Sequence, residues 1–136
     1  MTMTRTASTG NRPLTILIVD DSAMMRMMIK RVAGIAGMPV GRILEAGDGR
    51  QALTVLESEH VDAIFTDINM PVMTGTELLR EISRRGTWPH LLRVIVSTDG
   101  SVARREEVRD LDVEHYIEKP FSPEVMRDVL DAVTHG

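Results

Sequence analysis

From Leu14 onward the chain alternates five times between a short apolar run and an amphipathic segment, and no other feature limits its fold as tightly. The runs are 14–19, 42–46, 61–66, 91–96 and 115–117. Three of them (Leu-Thr-Ile-Leu-Ile-Val, Ala-Ile-Phe and Val-Ile-Val) are nearly continuous. Strands read this way when both sheet faces are covered, as in a parallel sheet. The segments between them begin with helix signals. Thr74-Gly-Thr-Glu77 has capping-box spacing and Asp48-Gly-Arg-Gln51 a similar start. Ser122-Pro123 puts a hydroxyl at the N-cap and proline at the first helical position, ahead of Val125, Met126, Val129, Leu130 and Val133. The first helix carries Met25, Met28, Ile29, Val32 and Ile35 on one face and is expected to end near Gly37. The fourth, 101–111, is the weakest, with only Val102, Ala103, Val108 and Leu111 among its charges. Five strand–helix pairs in strict alternation predict a doubly wound α/β fold, a five-stranded parallel sheet with helices on both faces.

Such sheets bind ligands at the carboxyl ends of their strands. Asp20-Asp21 follows the first run, Asp67 the third, Ser97-Thr98 the fourth and Lys119-Pro120 the fifth. Any one of these would pass as a turn or capping residue; their convergence on one edge carries the argument. Two carboxylates about 4 Å apart repel by roughly 4 kcal/mol at an effective dielectric near 20. Either one takes up a proton or a cation neutralises them. All-oxygen ligation suits Mg²⁺. With the Lys119 ammonium added, the cluster is suited to receive a dianionic group, which points to phosphoryl transfer.

These residues resemble the response-regulator receiver family, of the single-domain chemotaxis-regulator type. The stretches that carry the resemblance are ILIVDDSAMMR, EAGDGRQAL, FTDINMPVMTG, VIVSTDGS and YIEKPF. Asp67 and Ser97 are 30 positions apart, and Ser97 and Lys119 22, as is usual in that family. The resemblance implies a flavodoxin-like (βα)5 fold, with 14–136 as the receiver domain and 1–13, rich in Thr, Ser, Gly and Asn, as a flexible leader. It implies Asp67 as phosphoacceptor. Mg²⁺ would be held by Asp21, Asp67 and the backbone carbonyl of Asn69, with Asp20 acting mainly through metal-bound water. Lys119 would contact the phosphoryl group across a cis bond to Pro120, and Tyr116 would be the switch aromatic. Ser97 rather than Thr98 matches the strand-four hydroxyl, which leaves Thr98 at a position usually small, beside the entrance. Thr74 stands where Asp is frequent, and the extra length between the first and third strands falls in 37–41.

The resemblance further implies a signalling switch rather than an enzyme with a separate substrate. It would be fed by a sensor histidine kinase or phosphotransfer protein and act on a downstream protein. After phosphorylation, Ser97 is expected to shift inward and Tyr116 to rotate into the space it leaves. The output surface is then the face formed by helix four, strand five and helix five, with Arg104, Arg105 and Arg109 as candidate contacts. The target could be a flagellar motor, a relay intermediate or a phosphate sink. Sixteen residues follow Pro120, enough for one amphipathic helix and no output domain.

Composition excludes several other classes. A net charge of −4 lacks the basic excess of a nucleic-acid binder, and the absence of cysteine excludes disulfides and thiol chemistry. No apolar run nears the roughly 18 residues of a membrane helix, and nothing reads as a secretory signal, so a soluble cytoplasmic protein is expected; a monomer is expected as well. His60, His90, His115 and His135 lack zinc-ligand spacing. A haloacid-dehalogenase-type phosphatase needs Asp-x-Asp, and Asp67-Ile68-Asn69 supplies no second proton carrier. A P-loop enzyme needs a glycine-rich cradle that Asp20-Asp21-Ser22-Ala23 is not. A receiver-like binding module without phosphotransfer is disfavoured because all five polar site residues are present. Of ten methionines, four fall within Ala23–Met28. Met25 and Met28 are expected in the core and the others partly exposed, where they could form a partner surface. Trp88 is expected to pack, and the Arg/Glu run of the fourth helix to be a solvated face.

Overall fold

The computed structural model describes residues 13–36 and 40–135. The leader expected at 1–13, Pro13 excepted, lies outside the described residues, as do residues 37–39, where the first helix is expected to end and where part of the extra length expected at 37–41 falls. Ten elements follow in strict order: β1 (Leu14–Val19), α1 (Ala23–Ala36), β2 (Val40–Ala46), α2 (Gly49–Ser58), β3 (Ala63–Thr66), α3 (Gly75–Arg85), β4 (Leu92–Ser97), α4 (Val102–Glu107), β5 (His115–Glu118) and α5 (Pro123–His135). The strands form one parallel sheet in the order β2-β1-β3-β4-β5. This is the doubly wound arrangement expected, and the order reverses between β1 and β3.

Strand side chains alternate between two apolar layers. Ile16, Ile18, Phe65, Val94 and Val96 meet Ile29 and Ala33 of α1 and Met126 and Val129 of α5. Leu17, Val19, Ile64 and Ile95 meet α2 through Leu53 and Leu56 and α3 through Leu78, Leu79 and Ile82. Both faces of the central strands are thus dry, which is why their sequence shows no polar alternation. Trp88 packs against the second layer and donates its indole N–H to the Leu56 carbonyl at 3.1 Å.

The helix starts form as the sequence implies. Thr74 and Glu77 make a reciprocal capping box, so Thr serves here as well as Asp would. Asp48 caps α2 through the Gln51 amide, while the Gln51 side chain reaches back to the Gly47 amide. Three expectations need correction. The fourth helix is only Val102–Glu107, with Val102 and Ala103 exposed; Val108 and Leu111 are buried but belong to the turns after it. Its charged side chains have no buried partner face, so nothing extends the helix. On α1, Met28 is 52% and Ile35 61% exposed, and the core position is taken by Ala33, in step with Ile29. A small residue lets α1 lie close beside α5. Val125 of α5 is also exposed. Among the described residues no helix is long and apolar enough to cross a membrane.

Candidate functional site

Because all five strands are parallel, their carboxyl ends share one edge, and the site is built there. The Asp67 amide donates to the Val19 carbonyl at 2.9 Å and the Asp20 amide to the Ala46 carbonyl at 3.1 Å, fixing where the first and third strands end. Asp20 is buried, Asp67 partly buried and Asp21 exposed, and one carboxylate oxygen from each lies within 4.8 Å of the others. Lys119, itself 8% exposed in its side chain, donates from Nζ to Asp20 Oδ2 at 3.0 Å and to Asp67 Oδ2 at 3.3 Å. The remaining oxygens are held by backbone: Asp20 Oδ1 accepts from the Ser22 amide at 2.9 Å and Asp67 Oδ1 from the Ile68 amide at 2.6 Å. The Lys119–Pro120 bond is cis. Three carboxylates thus face one ammonium, an excess of negative charge lined entirely by oxygen. That donor set fits a hard divalent cation such as Mg²⁺.

Two supports were not anticipated from the sequence. Arg26 of α1 donates from Nη1 to the Asp20 carbonyl while its Nε pairs with Glu45 of β2 at 2.8 Å, tying the acidic loop to the sheet edge. Gly75 lies so close beneath the Asp67 loop that a Cβ there would stand 1.9 Å from the Asp67 carbonyl oxygen. Its amide donates to the Ile68 carbonyl at 2.8 Å. The Met-Pro-x-Met-Thr-Gly spelling held the signal for Gly75; nothing in the sequence singles out Arg26.

Asn69 lies exposed two positions beyond Asp67. Ser97 is fully buried at the end of β4, whereas Thr98 is exposed. Thr98 lines a cavity of about 260 Å³ together with Lys119, Met25, Met28 and Phe121. The Ser97 carbonyl accepts from the Lys119 amide at 2.8 Å and its hydroxyl from the Asp99 amide at 3.2 Å.

Phe65 and Ile64 bury the strand that leads into Asp67, and the edge gathers Asp20, Asp21, Asp67 and Lys119. Residues 16–131 match the response regulator receiver domain. The chain belongs to the response-regulator receiver family. It is 35% identical over 118 residues to chemotaxis protein CheY of Pseudomonas aeruginosa, covering 87% of this chain and 94% of that one. It is 34% identical over 119 residues to a chemotaxis protein CheY homolog of Campylobacter jejuni, covering 87% and 90%. The solved structure of chemotaxis protein CheY4 of Vibrio cholerae superposes with a TM-score of 0.78 at 30% identity, covering 89% of this chain and 98% of that one. As a receiver, the chain is of a family of signalling switches whose Mg²⁺ site its acidic triad fits.

Tyr116, the expected switch aromatic, sits on β5 beside the end of β4. Its ring already packs against the second core layer, its hydroxyl donates to the Asp99 carbonyl, and Arg105 lies over the ring at 4.4 Å. Burial pushes the Tyr116 hydroxyl above its usual range, partly offset by a hydrogen bond with Ser97. The aromatic therefore lies inward, against the second core layer and beneath Arg105.

Proposed function

We propose that this receiver accepts a phosphoryl group from a histidine kinase or phosphotransfer protein on Asp67 and signals through protein contact. What supports this most is Lys119, which bridges Asp20 and Asp67 within the carboxylate triad. A structural ion pair needs one carboxylate; a lysine spanning two, beside a third, is arranged to meet a further anion. In the transfer, an Asp67 carboxylate oxygen forms the bond to phosphorus and the phosphorus–nitrogen bond of the donor phosphohistidine breaks. The imidazole leaves with the electron pair and takes a proton. Asp21, Asp67 and the Asn69 carbonyl would hold Mg²⁺, with Asp20 acting through metal-bound water. Bound there, the ion supplies charge neutralisation for the entering phosphoryl oxygens.

Lys119 moves its donors from the carboxylates to the phosphoryl group, and Ser97 supplies the neutral hydroxyl donor. Thr98, exposed at the mouth, narrows entry for small-molecule donors. The readout is the face of α4, β5 and α5, where Tyr116 reports the state of Ser97 and Arg104, Arg105 and Arg109 are contacts. The relatives are named chemotaxis proteins, which makes a chemotaxis-type target in the cytoplasm the first to test.

Incubation with acetyl phosphate and Mg²⁺ should add one phosphate to the wild type by intact mass and none to Asp67→Asn. A fully phosphorylated Asp67→Asn would sink the assignment. Ser97→Ala should still accept phosphate yet bind its target poorly. Mg²⁺ should stabilise the fold by mass action, with Asp21→Ala losing more of that effect than Asp20→Ala. Equal losses in the two would refute the ranking of ligands.

A further inference from the structure

The charges of α4 read in sequence as a solvated face, yet one of them is not free of the fold. Arg105 places its guanidinium carbon 4.4 Å from the centre of the Tyr116 ring. The arginine is itself held: its Nε donates to the Gly100 carbonyl at 3.1 Å, and its Nη2 stands 4.0 Å from Glu118. The ring is thus confined between the core layer beneath it and a cation above it. Its hydroxyl is tied to the Asp99 carbonyl, in the loop that Arg104 braces through Asp99 at 3.1 Å. For Tyr116 to swing outward, Arg105 must leave the ring face.

We propose that Arg105 is a positioning residue that holds Tyr116 inward, biasing the protein toward the conformation the phosphoryl group selects. This rests on the reading of Tyr116 as the switch residue. A cation on an aromatic face at an exposed site changes an equilibrium by roughly two- to fivefold, enough to set a bias and too little to lock it. Phosphorylation then completes a shift that is partly made, since a ligand only redistributes states that already exist.

The chain has a single tyrosine, so incorporation of 3-fluorotyrosine gives one ¹⁹F resonance that belongs to Tyr116. The readout is the change in that resonance between H₂O and D₂O, which follows ring exposure and is insensitive to the loss of a nearby charge. Arg105→Gln should enlarge this solvent-induced change, with the inward-to-outward ratio falling roughly two- to fivefold. Arg105→Lys, which keeps the charge, should fall between Gln and wild type. Glu118→Gln should match wild type closely, because the stacking survives it. An Arg105→Gln protein with the wild-type solvent response would overturn the proposal. So would Arg105→Lys behaving as Gln while Glu118→Gln reproduced the whole effect, since the ion pair would then be the cause. Beryllofluoride supplies the separate arm: it should draw the Arg105→Gln resonance back toward the wild-type position. If Arg105→Gln exposes the ring but beryllofluoride moves neither protein, the clamp stands and the switch reading of Tyr116 fails.

Discussion

Two helices of this receiver each begin a few residues after a strand that ends at the cleft, and they are anchored very differently. Helix α3 follows β3 and Asp67. It has a reciprocal capping box, Gly86 in the left-handed region at its C-cap, and Leu78, Leu79 and Ile82 fully buried. Helix α4 follows β4 and Ser97. It has six residues, a Ser101 cap and no buried side chain. The turns after it are anchored instead, by Val108 and Leu111 in the core and by Arg93, buried in β4, whose Nη1 donates to the Leu111 carbonyl at 3.1 Å and to Ser83 at 3.2 Å. The wall that carries Asp67 is therefore firmly anchored, and the wall that carries Ser97 adjoins an element with few anchors, of the kind that opens at low cost. A phosphorylation switch needs this division: chemistry requires fixed geometry, and readout requires something that yields.

The sharpest way to break the comparison is to remove Asp67, the proposed phosphoacceptor. In the wild type, beryllofluoride should change amide exchange across residues 98–122 while leaving α3 protected. In Asp67→Asn that response should vanish completely with the fold intact, because the change is nearly isosteric and deletes one of three repelling charges. A response of equal size in α3 and α4 of the wild type would show that the two walls are not distinct.

Next in size is packing. Leu79→Ala should cost about 2–5 kcal/mol, the range for emptying a closed core position. Val102→Ala, at 76% exposure, should stay within about 0.5 kcal/mol of wild type. Urea midpoints at constant slope measure both, and a Val102→Ala loss above about 1 kcal/mol would mean that α4 is anchored after all. The caps should repeat the contrast on a smaller scale. Thr74→Ala should cost about 1 kcal/mol of global stability. Ser101→Ala should leave the urea midpoint nearly unchanged and speed exchange within 102–107, because α4 can fray without exposing core.

Much of this was legible before any coordinates. The five-fold alternation and the nearly continuous runs specify a parallel sheet, and a parallel sheet puts Asp20, Asp21, Asp67 and Lys119 on one edge without further information. The capping motifs of α2 and α3 were equally plain, because cap geometry is local. What the sequence concealed was tertiary. Met28 and Ile35 have the right periodicity for a core, but α1 lies close to α5 and the buried stripe runs through Ala33 instead. Arg93 breaks the apolar run 91–96 and would pass for an exposed strand position, yet it is buried and ties β4 to the turn after α4. Arg105 reads as one charge in a solvated run, and only the fold brings the Tyr116 ring beneath it. Gly75 shows the opposite case, a position spelled out in the motif whose reason, the Asp67 carbonyl against its Cα, needs three dimensions.

The smallest expected effect comes from acid. Hydrogen bonds from Ser101, with help from Arg104, hold the Asp99 carboxyl below its ordinary value of 3.8. A carboxylate whose pKa is lowered on folding contributes stability that is fully present above its unfolded value and is lost as the pH falls through the folded one. In α3, Arg84 and Arg85 likewise hold Glu81 at about 2. Both groups are open to solvent, so neither changes global stability much. Their local consequences should still differ. When Glu81 is protonated, α3 keeps Leu78, Leu79 and Ile82 in the core. When Asp99 is protonated, the loop that accepts the Tyr116 hydroxyl loses its brace, and α4 has no buried side chain in reserve. Lowering the pH below about 4 should therefore loosen α4 before α3, seen as faster amide exchange at Arg104 and Arg105, after correction for intrinsic rates, with α3 amides unchanged. If the α3 and α4 amides lose protection together over that range, the acid response is global and the two helices do not differ in the way their anchoring implies.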